Sequence, residues 1–235
     1  MNNFSNNASL KWSNYYKSID QSQNYYPESF VHRVFSSKKP VQFINDEYVG
    51  KSILDLGCGH GRNIPFLSSL GLILFGLEVS DSQVSLLKSI FPDFSFFKGT
   101  NLNIPIKDSF FDYVLACNSI YYIDDINKSF SDHLLEVKRV LKKNGVFVLS
   151  MLGKKHSIFK NSTEIKKNYF HIEEDFLNFR NGVYIRQFDA KTEDPNELFS
   201  GFKINSFAEI SESVQLPDSQ NSFNRHLYYF VLIKL

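Results

Sequence analysis

Residues 53–63 read Ile-Leu-Asp-Leu-Gly-Cys-Gly-His-Gly-Arg-Asn, an apolar run that ends in a carboxylate and continues into alternating glycines. The apolar half of the stretch predicts a short, fully buried strand. Glycine allows the chain to turn sharply and to bring bare backbone against a bound molecule. The stretch therefore predicts a ligand-binding loop at the end of a buried strand. Its three glycines are Gly57, Gly59 and Gly61.

The spacing of this loop indicates which ligand it binds. A dinucleotide-binding turn has the pattern G-x-G-x-x-G, whereas this loop is G-x-G-x-G with Asp55 two residues before the first glycine. A carboxylate at that place repels a pyrophosphate but suits an ammonium group, such as that of the methionine half of S-adenosylmethionine. At these residues the chain resembles the class I S-adenosylmethionine-dependent methyltransferases. A nicotinamide dehydrogenase is a distant alternative, because the glycine spacing is wrong for one.

The resemblance extends beyond the glycine loop. Glu78 ends the second apolar run, 21 residues after Gly57, where the family places the acid that accepts hydrogen bonds from both ribose hydroxyls. Residues 99–112, 136–147 and 197–204 are also similar to segments of the family. Together these stretches cover roughly residues 50–150 and 193–235. The resemblance implies S-adenosylmethionine as the methyl donor and S-adenosylhomocysteine as the product.

Carried over residue by residue, the resemblance implies a set of donor contacts. They are Asp55, Gly57, Cys58, Gly59, Gly61, Asn63, Glu78, Val79, Thr100, Asn101, Leu102, Asn118, Tyr16 and Arg33. One position departs from the family, which often has an aspartate after Gly99 that contacts the adenine amino group. Here Thr100 stands at that position, and either its hydroxyl or the side-chain carbonyl of Asn101 can accept the hydrogen bond.

The rest of the chain predicts one α/β domain. Apolar strands alternate with helical segments, which is typical of a parallel sheet covered on both faces. The resemblance implies a Rossmann-like, doubly wound, seven-stranded, mostly parallel sheet with an antiparallel last strand and helices on both faces. Within a single domain of residues 1–235, we expect four parts along the chain. They are a helical lid (1–50), a cofactor-binding half (51–152), an insertion over the site (153–192) and a C-terminal helix and strand pair (193–235).

Composition limits the other possibilities. The net charge of +1 over 235 residues gives no overall field for a nucleic acid or an anionic membrane. Two cysteines predict neither a disulfide framework nor a zinc site, so we expect no metal. No basic segment followed by an apolar one opens the chain, and no apolar run approaches 20 residues. We therefore expect a cytoplasmic protein that acts on a small molecule, does not bind membranes and is a monomer or homodimer, and the near-neutral charge disfavours a nucleic-acid partner.

The sequence offers fewer specific residues for the methyl acceptor than for the methyl donor. An imidazole titrates near neutrality, so a histidine in the insertion or at the start of the last strand could act as a general base. Asn118-Ser-Ile-Tyr121 is faintly similar to the Asn-Pro-Pro-Tyr motif of enzymes that methylate nitrogen, although both prolines are missing. His133 lies in a helix that should be peripheral, and we expect it at the surface. The weak catalytic candidates are His156, His171, His226 and Tyr121.

These observations predict an enzyme that transfers a methyl group from S-adenosylmethionine to an O or N atom of a small molecule, a sugar or another metabolite. Two alternatives stay open. One is a protein or RNA methyltransferase, and the other is a catalytically silent protein that binds S-adenosylmethionine.

Overall fold

The computed structural model describes residues 3–18, 26–40, 42–44, 47–175, 178–215 and 222–235. The helices in these ranges are α1 (Asn3–Ser18), α2 (Ser29–Ser36), α3 (Ile64–Ser69), α4 (Asp81–Ile90), α5 (Phe130–Val140) and α6 (Pro195–Leu198). The strands are β1 (Ser52–Leu56), β2 (Ile73–Glu78), β3 (Ser95–Lys98), β4 (Phe111–Ala116), β5 (Leu141–Gly153), β6 (Asn161–Lys166), β7 (Tyr169–Glu174), β8 (Tyr184–Phe188), β9 (Phe202–Gln215) and β10 (Ser222–Lys234). None of these helices is both long enough and apolar enough to cross a membrane.

Seven of the strands form the central sheet in the order β3-β2-β1-β4-β5-β10-β9. The first five run parallel, and β10 runs antiparallel to both of its neighbours. Every residue of β1 is buried, and the last four residues of β4 are buried as well. Strands buried on both faces explain why these segments read as nearly continuous apolar runs. The predicted mostly parallel sheet with an antiparallel last strand is confirmed.

The predicted insertion adds three strands, so the whole sheet has ten. β8 runs parallel to the end of β5, with Leu152 opposite Gln187, and β7 and β6 follow as antiparallel neighbours. Leu152 also pairs with β10, so β8 lies on the β4 side of β5, beyond the end of β4. The insertion is therefore attached at the carboxyl end of the sheet, where parallel α/β sheets bind their ligands.

The last two strands are longer than the sequence predicts. We expect strands over 202–207 and 227–233, but β9 and β10 pair along nearly their whole lengths, from Phe202 opposite Lys234 to Gln215 opposite Ser222. The extra residues of β9 alternate between half-buried and exposed and then become exposed. A strand that is solvated on one face carries a weaker apolar signal than a core strand, which is why its end is hard to place from sequence.

Candidate active site

Asp55 lies near the end of β1 and is 1% exposed. Its Oδ2 accepts a 3.4 Å hydrogen bond from Asn63 Nδ2, whereas its Oδ1 has no hydrogen-bond partner among the described residues. Burial raises the pKa of Asp55 to about 7, against the opposing effect of the Asn63 hydrogen bond. A buried acceptor without a partner is costly, so a positively charged N–H donor from a ligand would stabilise this carboxylate.

The glycine loop follows directly and has φ angles of 72° at Gly57, 58° at Gly59 and 84° at Gly61. A Cβ atom at Gly57 would lie 2.5 Å from Ser119 Cβ, and one at Gly59 would lie 3.2 Å from Tyr16 Oη. Only glycine fits this close approach together with a positive φ. Gly57 therefore brings the loop backbone against Ser119, just after β4, and Gly59 brings it against Tyr16 of α1.

Two other residues of the loop, Gly61 and Cys58, face the protein interior. A Cβ atom at Gly61 would meet Leu87 and Phe91 at 2.9 Å, so this glycine allows the loop to pack on α4 and its end. The Cys58 side chain is buried in the core, where burial raises the pKa of its thiol well above the ordinary value. Any contact that Cys58 makes with a ligand would therefore come from its backbone.

Glu78 ends β2 and is 4% exposed. Its Oε1 accepts hydrogen bonds from the backbone N–H groups of Val79 (2.8 Å) and Ser80 (3.3 Å). Its Oε2 accepts from Gly59 N (3.1 Å) and Tyr16 Oη (3.3 Å). Burial raises the pKa of Glu78, and these four hydrogen bonds oppose that shift. Backbone N–H groups of the glycine loop and of the turn after β2 thus hold the Glu78 carboxylate in a fixed position.

Glu78 faces a cavity that we call the Glu78 cavity. Its lining residues are Trp12, Tyr16, Gly57, Leu77, Glu78, Val79, Gly99, Thr100, Asn101, Asn118, Ser119, Tyr122 and Asp124. α1 covers one side of it, because Ser13 Oγ lies 2.6 Å from Ser80 Oγ and Ser9 Oγ donates to Val79 O at 3.0 Å. The structure therefore brings together residues from α1, the glycine loop and the ends of β2, β3 and β4.

The predicted adenine contacts line this cavity in part. The Thr100 hydroxyl accepts a 3.2 Å hydrogen bond from Leu102 N within its own turn. Asn101 Nδ2 donates to the carbonyls of Ser119 (3.3 Å) and Tyr122 (3.4 Å). Thr100 and Asn101 line the cavity, whereas Leu102 is not among its lining residues.

A buried carboxylate that the sequence analysis missed joins several parts of the site. Glu28 accepts hydrogen bonds from Arg62 Nη2 (3.3 Å), Asn118 Nδ2 (3.3 Å) and Arg225 Nη2, and its backbone N–H donates to Asn63 Oδ1 (3.1 Å). It thereby links the start of α2 to the glycine loop, the end of β4 and β10. Nothing in the local sequence signals these contacts, because a glutamate before a helix also fits an ordinary helix cap.

The predicted arginine contact lies outside this network. Arg33 is exposed on α2 and lines a separate groove between that helix and the β9–β10 pair. The structure does not bring Arg33 to the Glu78 cavity. The arginines that do lie near the glycine loop and the end of β4 are Arg62 and Arg225, through their shared partner Glu28.

The four catalytic candidates do not line the Glu78 cavity. His156 Nδ1 accepts from Ile158 N at 3.1 Å, and burial lowers the pKa of this histidine to about 3. His226 Nδ1 accepts from Lys155 N, and its Nε2 lies 2.8 Å from Glu209. In these tautomers neither imidazole has a free lone pair, because both Nδ1 atoms accept a hydrogen bond and the Nε2–H of His226 donates to Glu209.

The remaining candidates are also placed by the structure. His171 lies on β7 of the insertion and pairs with Glu173. Tyr121 is buried, and burial raises its pKa well above the ordinary value. His133, expected at the surface, is completely buried on α5, with Nδ1 3.1 Å from the Ile120 carbonyl. That expectation was wrong, because α5 packs this face against the core.

The fold and this set of residues resemble those of the class I methyltransferases. Residues 54–149 match the family model described as methyltransferase domain. This match, together with the fold, supports a class I S-adenosylmethionine-dependent methyltransferase family, in which S-adenosylmethionine is the methyl donor.

Individual relatives are distant. The chain is 27% identical to a sterol 4-C-methyltransferase of Caenorhabditis elegans over 126 residues, which are 51% of this chain and 36% of that protein. It is 29% identical to a phthiotriol/phenolphthiotriol dimycocerosates methyltransferase of Mycobacterium tuberculosis over 102 residues, 42% of this chain and 36% of that protein. The chain thus spans little more than a third of the length of these two relatives.

A solved S-adenosylmethionine-dependent methyltransferase from Methanosarcina mazei has a similar fold. It superposes with a TM-score of 0.64 at 17% identity, covering 89% of this chain and 99% of the other. This likeness concerns the fold alone, and it includes the regions before and after the family match.

Proposed function

We propose that the protein transfers a methyl group from S-adenosylmethionine to an O or N atom of a small molecule, a sugar or another metabolite. The observation that carries the donor half is Glu78, whose carboxylate is fixed by three backbone amides at the edge of a cavity. If the ribose hydroxyls take the places of the two longest of its four hydrogen bonds, from Ser80 N and Tyr16 Oη at 3.3 Å, this carboxylate can accept from both hydroxyls. S-adenosylmethionine supplies, when bound, a methyl group activated by its sulfonium charge.

The other predicted donor residues fit the same ligand. The unpartnered Oδ1 of Asp55 suits the donor's ammonium group, and Asn63 holds the other carboxylate oxygen. Gly57 lines the cavity, and a side chain at Gly57 or Gly59 would collide with Ser119 or Tyr16, which line it as well. Asn118 is held by Glu28 at the end of β4, where it would face the methyl group and the acceptor. Arg62 is better placed than Arg33 to meet the donor's carboxylate.

We further propose that the segment 1–50 acts as a lid and that the insertion 153–192 covers the acceptor. Residues 1–2, 19–25, 41 and 45–46 of the proposed lid lie outside the described residues. The two segments meet through aromatic rings, with Tyr15 stacked on Phe179 at 4.0 Å and Trp12 5.7 Å from the same ring. This aromatic contact forms a roof over the site, which favours a small acceptor over a protein or RNA chain.

The proposed chemistry depends on placement rather than on a base. Holding reactants in line and away from water can contribute about 7–11 kcal/mol to a rate enhancement. None of the four catalytic candidates lines the Glu78 cavity, and His156 and His226 have no free lone pair. An acceptor such as a carboxylate oxygen or a neutral amine needs no proton removed before attack, so it would not require any of these four residues as a base.

Two measurements test this function in order. Calorimetry with S-adenosylhomocysteine should show one binding site per chain, and absence of binding would contradict the proposal. Transfer of a tritiated methyl group from S-adenosylmethionine into a fractionated cell extract should then label a small-molecule fraction. Label in protein or RNA would support the macromolecular alternative, and binding without any transfer would support a silent binding protein.

We expect the affinity for S-adenosylhomocysteine to rise with pH up to about pH 7. The ligand's ammonium favours the ionised form of Asp55, whose pKa is about 7 in the free protein because burial and Glu78 raise it more than Asn63 and Arg62 lower it. Binding then releases one proton, so affinity should rise by up to about tenfold per pH unit below pH 7 and level off above it.

Calorimetry between pH 5.5 and 8 measures this slope, and Asp55→Asn should flatten it. Because the pKa of Asp55 is raised on folding, the free protein should also lose stability as the pH rises from about 4 to 7. A wild-type affinity that does not change over this range would show that Asp55 does not meet the ammonium group.

A further inference from the structure

A cavity separate from the Glu78 cavity lies where β5 passes into the insertion and where β10 begins. We call it the Lys154 cavity, and its volume is about 460 Å³. Its lining includes Lys154, Lys155, His156, Lys160, Ser222 and Asn224. Three of these residues carry an ammonium group, and no acid of the described parts of the chain lines the cavity. None of the six lines the Glu78 cavity, so this basic surface has no part in the proposed function.

The positive charges of this cavity are not neutralised by paired acids. Lys154 and Lys160 are exposed, and within the described residues no ion pair or hydrogen bond engages either ammonium group. Glu209 on β9 has an electrostatic interaction with Lys155, but its carboxylate lies 2.8 Å from His226 Nε2 and does not line the cavity. The cavity is therefore a local positive patch on a chain whose net charge is only +1.

His156 provides a second, independent observation. It is 6% exposed, and its Nδ1 accepts from Ile158 N at 3.1 Å, so the ring proton is on Nε2. Burial, followed by the charges of Arg180 and Arg225, lowers the pKa of His156 to about 3, so the ring stays neutral. Within the described residues, no hydrogen bond engages this Nε2–H. A largely buried N–H donor without a partner, in a positive surrounding, is suited to an anionic acceptor.

The number and kind of these donors indicate which anion fits. A phosphate monoester carries a charge of about −1.5 to −2 at pH 7 and three strong acceptor oxygens. Lysine binds phosphate as a point charge, and the hydroxyl of Ser222 and the amide of Asn224 can donate hydrogen bonds to it. A carboxylate has a single charge and two oxygens, so it would engage fewer of these groups.

We propose that the Lys154 cavity binds a phosphate group, either inorganic phosphate or the phosphate of a small phosphorylated metabolite. Lys154, Lys155 and Lys160 supply the charge, and the Nε2–H of His156 supplies a neutral donor. The site is separate from the residues that we assign to the methyl donor, and it does not depend on the proposed function. His156, which the sequence offers as a general base, acts here as an anion ligand.

The first test needs no variant. The wild-type chain, labelled with ¹⁵N, is titrated with sodium phosphate at constant pH and, in parallel, with sodium chloride at the same ionic strength. Phosphate should shift the Nε2 resonance of His156 along a saturable curve, whereas chloride should not. His171 is the internal reference, because it pairs with Glu173 and does not line the cavity. A His156 resonance that phosphate leaves unmoved, or that chloride moves equally, would overturn the proposal.

Substitutions then separate the cavity from general charge. The double variant Lys154→Ala with Lys160→Ala should weaken phosphate binding by about 10-fold or more. The matched control is Lys88→Ala with Lys203→Ala, which removes two exposed lysines outside the cavity and should leave the affinity unchanged. Equal losses in the two double variants would show that net charge, and not this cavity, attracts the anion.

A variant of His156 tests the neutral donor. Asparagine keeps a side-chain acceptor for Ile158 N but lacks the Nε2–H, so His156→Asn should bind phosphate about threefold to tenfold more weakly without a change in melting temperature. Unchanged affinity in the folded variant would overturn the role of His156.

Glucose 6-phosphate, inorganic phosphate and glucose distinguish the source of the phosphate group. Tighter binding of glucose 6-phosphate than of inorganic phosphate would assign the site to a phosphorylated metabolite, and equal affinities would assign it to phosphate itself. Glucose that bound as tightly as glucose 6-phosphate would overturn recognition of the phosphate group.

Discussion

Replacing Glu78 by glutamine is expected to lower the affinity for S-adenosylhomocysteine by about two to four orders of magnitude. Two charge-assisted hydrogen bonds to the ribose, each contributing about 1.5–3 kcal/mol, would be lost or weakened. The glutamine NH₂ group would also meet one of the backbone N–H groups that now donate to the carboxylate, from Gly59, Val79 or Ser80. Two donors facing each other disfavour the geometry that holds the side chain in the cavity.

The control for this substitution is Asp81→Asn. Asp81 lies at the start of α4, three residues after Glu78, with its side chain 72% exposed and paired with Lys98. An exposed ion pair of this kind contributes about 0–1 kcal/mol, so we expect little change in affinity. Circular dichroism would establish that both variants are folded. A folded Glu78→Gln variant with wild-type affinity would show that the ribose does not bind at this carboxylate.

The parts of the site that could be predicted from sequence are those encoded in short continuous stretches. Asp55 and the glycine loop follow one buried strand, and Glu78 ends the next one. Adjacent parallel strands end at the same edge of a sheet, so two such strand ends in sequence imply neighbouring side chains in space. The bond from Gly59 N to Glu78 at 3.1 Å is the direct result of that geometry.

The parts that could not be predicted depend on contacts between distant residues. Glu28 and Arg225 are 197 positions apart, and their pairing follows only from the complete fold. The strands of the insertion were missed for a different reason. β6 is exposed along almost all of its length, so it lacks the alternation of apolar and polar residues by which strands are usually recognised. Asp124 gave no signal either, because an acid in a turn is ordinary.

Gly57→Ala is expected to destabilise the protein by about 2–5 kcal/mol and to impair donor binding. The φ of 72° at this position costs an alanine about 1–2 kcal/mol. Its Cβ would also lie 2.5 Å from Ser119 Cβ, and relieving that overlap costs about 1–3 kcal/mol more. For a chain of this size, the melting temperature should fall by about 5–15 °C.

Gly50→Ala separates the cost of the positive φ from the cost of the overlap with Ser119. Gly50 has nearly the same φ of 73°, but nothing lies within 4 Å of the place where its Cβ would be. It should therefore show only the backbone strain, about 1–2 kcal/mol, and retain wild-type affinity for S-adenosylhomocysteine. Thermal unfolding and calorimetry on both variants measure the difference. Equal losses of stability in Gly57→Ala and Gly50→Ala would contradict this prediction. They would show that the loop can move away from Ser119 and that close packing is not what requires glycine at position 57.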